Sequence, residues 1–104
     1  TSVIWSGAKT LRSSHYHERD WHFLYVVSGS MLYYERDVGQ THLPEPMLFG
    51  AGQMCFTPPM MEHATAFPND TVLVSVSRFA RDTKSHEEDV VRIPFLSLDA
   101  LSWR

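Results

Sequence analysis

The sequence predicts an all-β domain, built as a sandwich or barrel, and three observations carry that expectation. Aromatic and β-branched residues come in short runs broken by Gly, Pro, Asn and Asp, which is the spacing of strands and turns. No segment before residue 80 repeats its apolar residues at the three-to-four spacing of an amphipathic helix. Four of the six histidines fall into two blocks, His15-x-His17-x4-His22 and Gly52-x5-Pro58-x4-His63, and both blocks have β-like surroundings.

The elements follow in order. Residues 2–5 can form an odd N-terminal strand, and residues 10–17 a second one. Residues 21–28, Trp-His-Phe-Leu-Tyr-Val-Val-Ser, make a strong strand. Gly29-Ser30 has the composition of a two-residue hairpin turn, so residues 31–36 are expected to return as the second arm of a hairpin. Residues 37–46 hold Gly, His and two prolines and read as a loop. Two short strands, 47–50 and 53–57, flank the Gly50-Ala51-Gly52 turn. Residues 62–67 and 71–79 are expected to form another hairpin through Pro68-Asn69-Asp70. Residues 80–88 are polar and read as an exposed connection. Residues 90–104 are apolar again and should dock on the barrel or on a second subunit.

At 104 residues the chain fits one domain, 1–104, with one modest core. A hydrophobic share of 43%, a charged share of 20% and a net charge of −3 are ordinary for a globular protein, and nothing basic suggests a nucleic-acid partner. No apolar run approaches a membrane span. The first residues lack a basic n-region and an apolar h-region, so no signal peptide is expected; the missing initiator Met is what a trimmed or internal piece would show. The single cysteine, Cys55, rules out an internal disulfide and reads as a buried small residue, in keeping with a reducing cytoplasm.

Alternation assigns the histidines to a common interior. In a strand, residues i and i+2 share a face, so His15 and His17 should project together, with Tyr16 opposite. The alternation that turns Leu24 and Val26 inward turns His22 inward too, while Trp21, Phe23 and Tyr25 take the other face. His63 follows the rigid Pro58-Pro59 bend and opens a new strand. Imidazoles converging from three strands suit one divalent transition metal, and Fe, Mn, Ni, Cu and Zn are all compatible. The plain alternative is a barrel whose histidines only fill a polar core. His42 and His86 lie in polar stretches and read as surface residues.

The two blocks resemble the paired motifs of the cupin superfamily. The first motif, Gly-x5-His-x-His followed by Glu and then Gly, is met by His15, His17, the position of His22, and Gly29. The second, Gly-x5-Pro-x-Gly-x2-His-x3-Asn, is met by Gly52, Pro58 and His63, and the stretch between the motifs, 30–51, has the usual size. The likeness spans residues 9–79 and implies a double-stranded β-helix, or jelly-roll barrel, with a short C-terminal tail and a metal held inside by His15, His17, His22 and His63. The chain departs from the motifs at Lys9 and Met60, where Gly is expected, and at Phe67, where Asn is expected. These changes should mainly reshape turns and pocket wall. A further departure, His22 in place of Glu, makes the ligand set four neutral imidazoles and raises the charge of the site by one.

Cupin enzymes include dioxygenases, isomerases, lyases and decarboxylases, and fold alone does not choose among them. The expectation is a metal-dependent small-molecule enzyme, oxygenase-like or isomerase-like. The alternatives are a non-catalytic ligand or sugar sensor, or a nucleotide-sugar epimerase or isomerase. The last follows because residues 10–17, 33–36 and 56–63 also resemble small stand-alone cupins of nucleotide-sugar and surface-polysaccharide pathways. Tyr33, Tyr34, Glu35, Tyr25, Glu62 and Arg78 are pocket or rim candidates, and Tyr25, Tyr33, Glu62 and Arg78 are the acid or base candidates among them. Met31, Met54, Phe56, Met60, Met61 and Phe67 are expected to line an adaptable apolar pocket, suited to a small diketone-like substrate. A sugar would want more hydroxyl-matching groups. The N-terminal strand and the apolar tail are expected to support a homodimer.

Overall fold

The computed structural model describes residues 2–42, 44–78 and 90–92; for residues 13–15, 17 and 90–92 the description is of the backbone alone. The described residues form strands β1 (Ser2–Ser6), β2 (Thr10–His17), β3 (His22–Ser28), β4 (Ser30–Asp37), β5 (Met47–Gly50), β6 (Met54–Thr57), β7 (Met61–Phe67), β8 (Thr71–Ser77) and β9 (Val90–Arg92). They make two antiparallel sheets, one ordered β1-β8-β3-β6 and the other β5-β4-β7-β2-β9. This is the jelly-roll barrel of the double-stranded β-helix, with no helix among the described residues.

The strand positions match the sequence reading, but the pairings expected of sequence neighbours do not. β3 pairs with β6 and β8, whereas β4 pairs with β5 and β7, so the chain changes sheet at Gly29 and makes no hairpin there. β5 and β6 also sit in different sheets, as do β7 and β8. A short glycine- or proline-bearing corner between two sheets has the same composition as a tight turn within one sheet, so local chemistry cannot separate them. Gly29 has φ +88° and packs against Thr71, whose hydroxyl accepts from the Ser30 N–H at 3.1 Å. The β3–β4 corner is thereby tied to the β7–β8 corner. At the opposite end the buried Asp20 carboxylate accepts from the N–H groups of Trp21 (2.8 Å) and Arg78 (2.9 Å), joining the start of β3 to the end of β8.

The barrel extends beyond residues 9–79: β1 pairs with β8 along its length, and β9 pairs with β2 opposite His15 to His17. Part of the apolar C-terminal stretch therefore docks on its own barrel, while the expectations for residues 79–89 and 93–104, including His86, lie outside the described residues.

The two motif positions where Gly is replaced are the two described non-glycine residues with positive φ. Lys9 and Met60 both stand at φ 61°. Both turns hold a side chain in a left-handed conformation. Such a conformation costs a residue with a Cβ about 1–2 kcal/mol. Met60 is exposed, so nothing in packing opposes its removal. Met60→Gly is expected to stabilise the fold by up to about 1 kcal/mol after the added freedom of the unfolded chain is subtracted; urea denaturation reads the gain, and a loss of stability would count against it.

Inside the barrel, cross-strand register stacks the inward side chains in rungs. His22, Thr57 and Ser77 share a rung across β6, β3 and β8, and Glu35 and His63 share one across β4 and β7. The next rung holds Leu24, Cys55 and Ser75 in one sheet and Tyr33 and Thr65 in the other. Deeper still, Val26 faces Leu73, and Met31 and Phe67 complete the apolar floor. One end of the interior is polar and the other is apolar.

Candidate metal centre

His22 and His63 come from opposite sheets and meet inside the barrel. Both are buried, with ring centres 5.0 Å apart and planes inclined at 64°. His63 Nδ1 lies 3.0 Å from the Met61 carbonyl oxygen. A carbonyl can only accept, so Nδ1 carries the proton, and in the neutral ring the lone pair is on Nε2. Metal-binding histidines are commonly oriented this way, by a backbone carbonyl on the far ring nitrogen. Two imidazoles bound to one ion through bonds of about 2.1 Å have ring centres roughly 4.5–5 Å apart. The His22–His63 pair fits that separation.

His15 stands opposite His63 in the β2–β7 ladder, beside a register shift between Ser13 and His15, and His17 lies two residues further along β2. Their backbones thus border the same rung, while their side chains lie outside the described set. Among the described residues no group of three or more His, Cys, Asp or Glu side chains could hold a metal ion, so the described part of the candidate site is the pair His22 and His63.

The acid and base candidates separate. Tyr33 lies inside the barrel, fully buried, and its hydroxyl shares a short hydrogen bond with the Thr57 hydroxyl. Burial pushes the Tyr33 phenol well above its usual range; the Thr57 bond opposes this and the nearby Glu35 charge adds to it. The phenol therefore stays protonated. Burial likewise pushes the Cys55 thiol up to about 12, which removes it as a nucleophile. Glu62 alternates with His63 and so faces out of the barrel, where its carboxylate accepts from Arg36 Nε at 2.7 Å. Tyr25 is exposed on the outer face of β3, and Arg78 is exposed beyond β8, with its Nη1 3.5 Å from the Arg19 carbonyl. Tyr34 also faces outward, in a buried cluster with Leu32, Ala64 and Ala66. His42 is exposed, as expected.

The expected methionine-rich pocket needs correction. Met31 and Phe67 are interior, but they belong to the packed floor. Met54 and Phe56 point outward and are exposed, because on β6 it is Cys55 and Thr57 that take the inward positions. Phe56 instead joins an external aromatic cluster, 4.8 Å from Phe23 and 6.4 Å from Trp21 between ring centres. Met60 is exposed on its turn, and Met61, half-buried, contributes its carbonyl to His63. The rungs nearest the histidines mix apolar Leu24 and Cys55 with buried hydroxyls: Tyr33, and three that the sequence reading does not single out, Thr57, Thr65 and Ser75. Strict alternation on β6, β7 and β8 is the signal that finds them.

No family model matches the sequence, and no curated protein does. Solved structures do match. The capsular polysaccharide assembling protein CapF from Staphylococcus aureus superposes with a TM-score of 0.71 at 18% identity, over 88% of this chain and 25% of that one. The chain has the cupin fold. A 3,4-ketoisomerase from Helicobacter canadensis gives a TM-score of 0.70 at 14% identity, covering 88% of this chain and 68% of that chain. KdgF from Halomonas sp. gives 0.65 at 18% identity, covering 77% and 67%. The cupin fold here corresponds to about a quarter of the CapF chain, and at these identities the likeness is one of fold.

Proposed function

We propose that this chain is a metal-dependent cupin of isomerase or epimerase type, acting on a small hydroxyl-rich, sugar-like molecule, with His15, His17, His22 and His63 as the ligands of one divalent transition metal. The observation that carries this reading is the wall around the His22–His63 pair. Buried hydroxyls of Tyr33, Thr57, Thr65 and Ser75 stand on its rung and the next one, beside Leu24 and Cys55, where the diketone-like substrate of an oxygenase would favour a wholly apolar lining. Buried hydroxyls discriminate strongly for a partner that completes their hydrogen bonds. The fold likeness to a 3,4-ketoisomerase and to a capsular polysaccharide assembling protein supports the same direction.

A bound divalent ion would supply Lewis acidity to a carbonyl or hydroxyl oxygen of the substrate. The chain's own groups do the remainder. The protonated Tyr33 hydroxyl donates hydrogen bonds, since its raised pKa denies it a role as base. Glu35, opposite His63 in the β4–β7 ladder, would be the carboxylate that accepts a proton. The packed floor of Val26, Met31, Phe67 and Leu73 closes the deep end against water.

The test is a panel of nucleotide-linked and free keto-sugars incubated with metal-loaded protein in deuterated water and followed by NMR. Metal-dependent deuterium incorporation or epimerisation that is lost with a chelator is expected. No exchange with any sugar, together with oxygen uptake on diketones, would replace this reading with the oxygenase one.

A further inference from the structure

The outward side of the five-stranded sheet holds a cavity that the proposed reaction does not use. Its volume is about 450 Å³, inside the range of about 300–1,000 Å³ that small-molecule sites occupy. Its apolar wall is Leu32 of β4 and Leu48 of β5, which stand opposite each other in the β4–β5 ladder and turn to the same outward side as Tyr34. Pro46 and Pro68 flank them, and Ser30, Asn69 and Glu45 supply the polar groups. The cavity lies at the end of the barrel where β4 begins. Five steps along β4 separate Ser30 from Glu35, the residue opposite His63, so about 17 Å of strand lies between the cavity and the candidate metal centre.

We propose that this cavity binds a small organic cation, an ammonium group carried on a short apolar body. The balance of donors and acceptors selects the charge. The Glu45 carboxylate only accepts, and among the described residues no hydrogen bond or ion pair engages it. Neither proline has an N–H to offer. The Ser30 N–H is already given to Thr71 Oγ1 at 3.1 Å, and the Asn69 amide nitrogen donates to Ser30 Oγ at 2.8 Å. Few donors are left for an anion, whereas an ammonium brings three donors and no acceptor. The same bonds hold the polar wall in place before a ligand arrives, with Thr71 Oγ1 2.9 Å from both the Ser30 and the Asn69 carbonyl oxygens. A preformed wall keeps the ordering cost of binding low. Two leucines and two proline rings suit an alkyl body, and the net charge of −3 favours the approach of a cation.

Titration of the full chain with n-butylammonium, n-butanol and butyrate, one apolar body with a cationic, a neutral and an anionic head, tests this by NMR on the methyl signals of Leu32 and Leu48. Saturable shifts are expected with n-butylammonium. It should bind about fivefold more tightly than n-butanol, the worth of a partly exposed ion pair, and butyrate should bind weakest. Glu45→Gln, a change at an exposed position, should make the ammonium and the alcohol equal. Leu48→Ser, also at an exposed position, should weaken both. No saturable shift at the two leucines, equal binding of ammonium and alcohol by the wild type, or a preference that Glu45→Gln leaves unchanged would overturn the proposal. Shifts centred on His22 and His63 instead would place the ligand at the metal end and overturn it as well.

Discussion

Gly29→Ala is expected to lose more than about 3 kcal/mol of stability, a large share of the about 5–15 kcal/mol that a domain typically has. Two costs combine. Gly29 stands at φ +88°, where a Cβ is strained by about 1–2 kcal/mol. An added methyl would also sit 2.8 Å from Thr71 Cα and closer still to the Asp70 carbonyl oxygen, both backbone atoms that cannot rotate away. Gly39 and Gly52 supply the control. They have φ of +95° and +86°, but nothing lies within 4 Å of an added Cβ. Alanine there should cost only the backbone strain. Urea denaturation of the three variants separates the terms, and equal losses at all three would mean that the Gly29 corner does not lock the two sheets together.

His63→Ala is expected to abolish stoichiometric metal binding, and His22→Ala to reduce it at least tenfold. Losing a group that only hydrogen-bonds a metal ligand typically costs about 10–100-fold in metal affinity, and removal of a ligand should cost at least as much. His63 is the more severe case because it is fully buried and already oriented by the Met61 carbonyl, with Nδ1 as the donor. His22→Glu is the informative companion. It restores the carboxylate of the cupin motif and lowers the charge of the site by one, so it should keep metal while shifting preference among ions. Elemental analysis of tag-free protein reads all three. Unchanged stoichiometry in His22→Ala would remove His22 from the ligand set, and unchanged stoichiometry in His63→Ala would remove the centre from this end of the barrel.

The strands and the inward turn of His22, Leu24 and Val26 were legible in the sequence because alternation is a local property of the chain. Strand partners were not, because a sheet-crossing corner such as Gly29 uses the same residues as a hairpin turn. The left-handed turns at Lys9 and Met60 are invisible in the residue types and legible only as motif positions. The misplacement of Met54 and Phe56 has a different origin. Hydrophobicity alone points to the interior, whereas alternation with Cys55 and Thr57 fixes the opposite parity. An apolar outer face defeats the usual inference from greasiness to burial. Glu62 follows the same rule, since an inward His63 turns its neighbour outward, where Arg36 meets it.

In the proposed function, one metal lies where the two sheets bring His22 and His63 together. Crystals of the tag-free protein, measured at the absorption edge of whichever metal elemental analysis finds, test it most directly. The expected result is a single anomalous peak about 2.1 Å from one ring nitrogen each of His22 and His63, with His15 and His17 completing the set. A peak elsewhere, or metal-loaded protein with no peak at this end of the barrel, would contradict it.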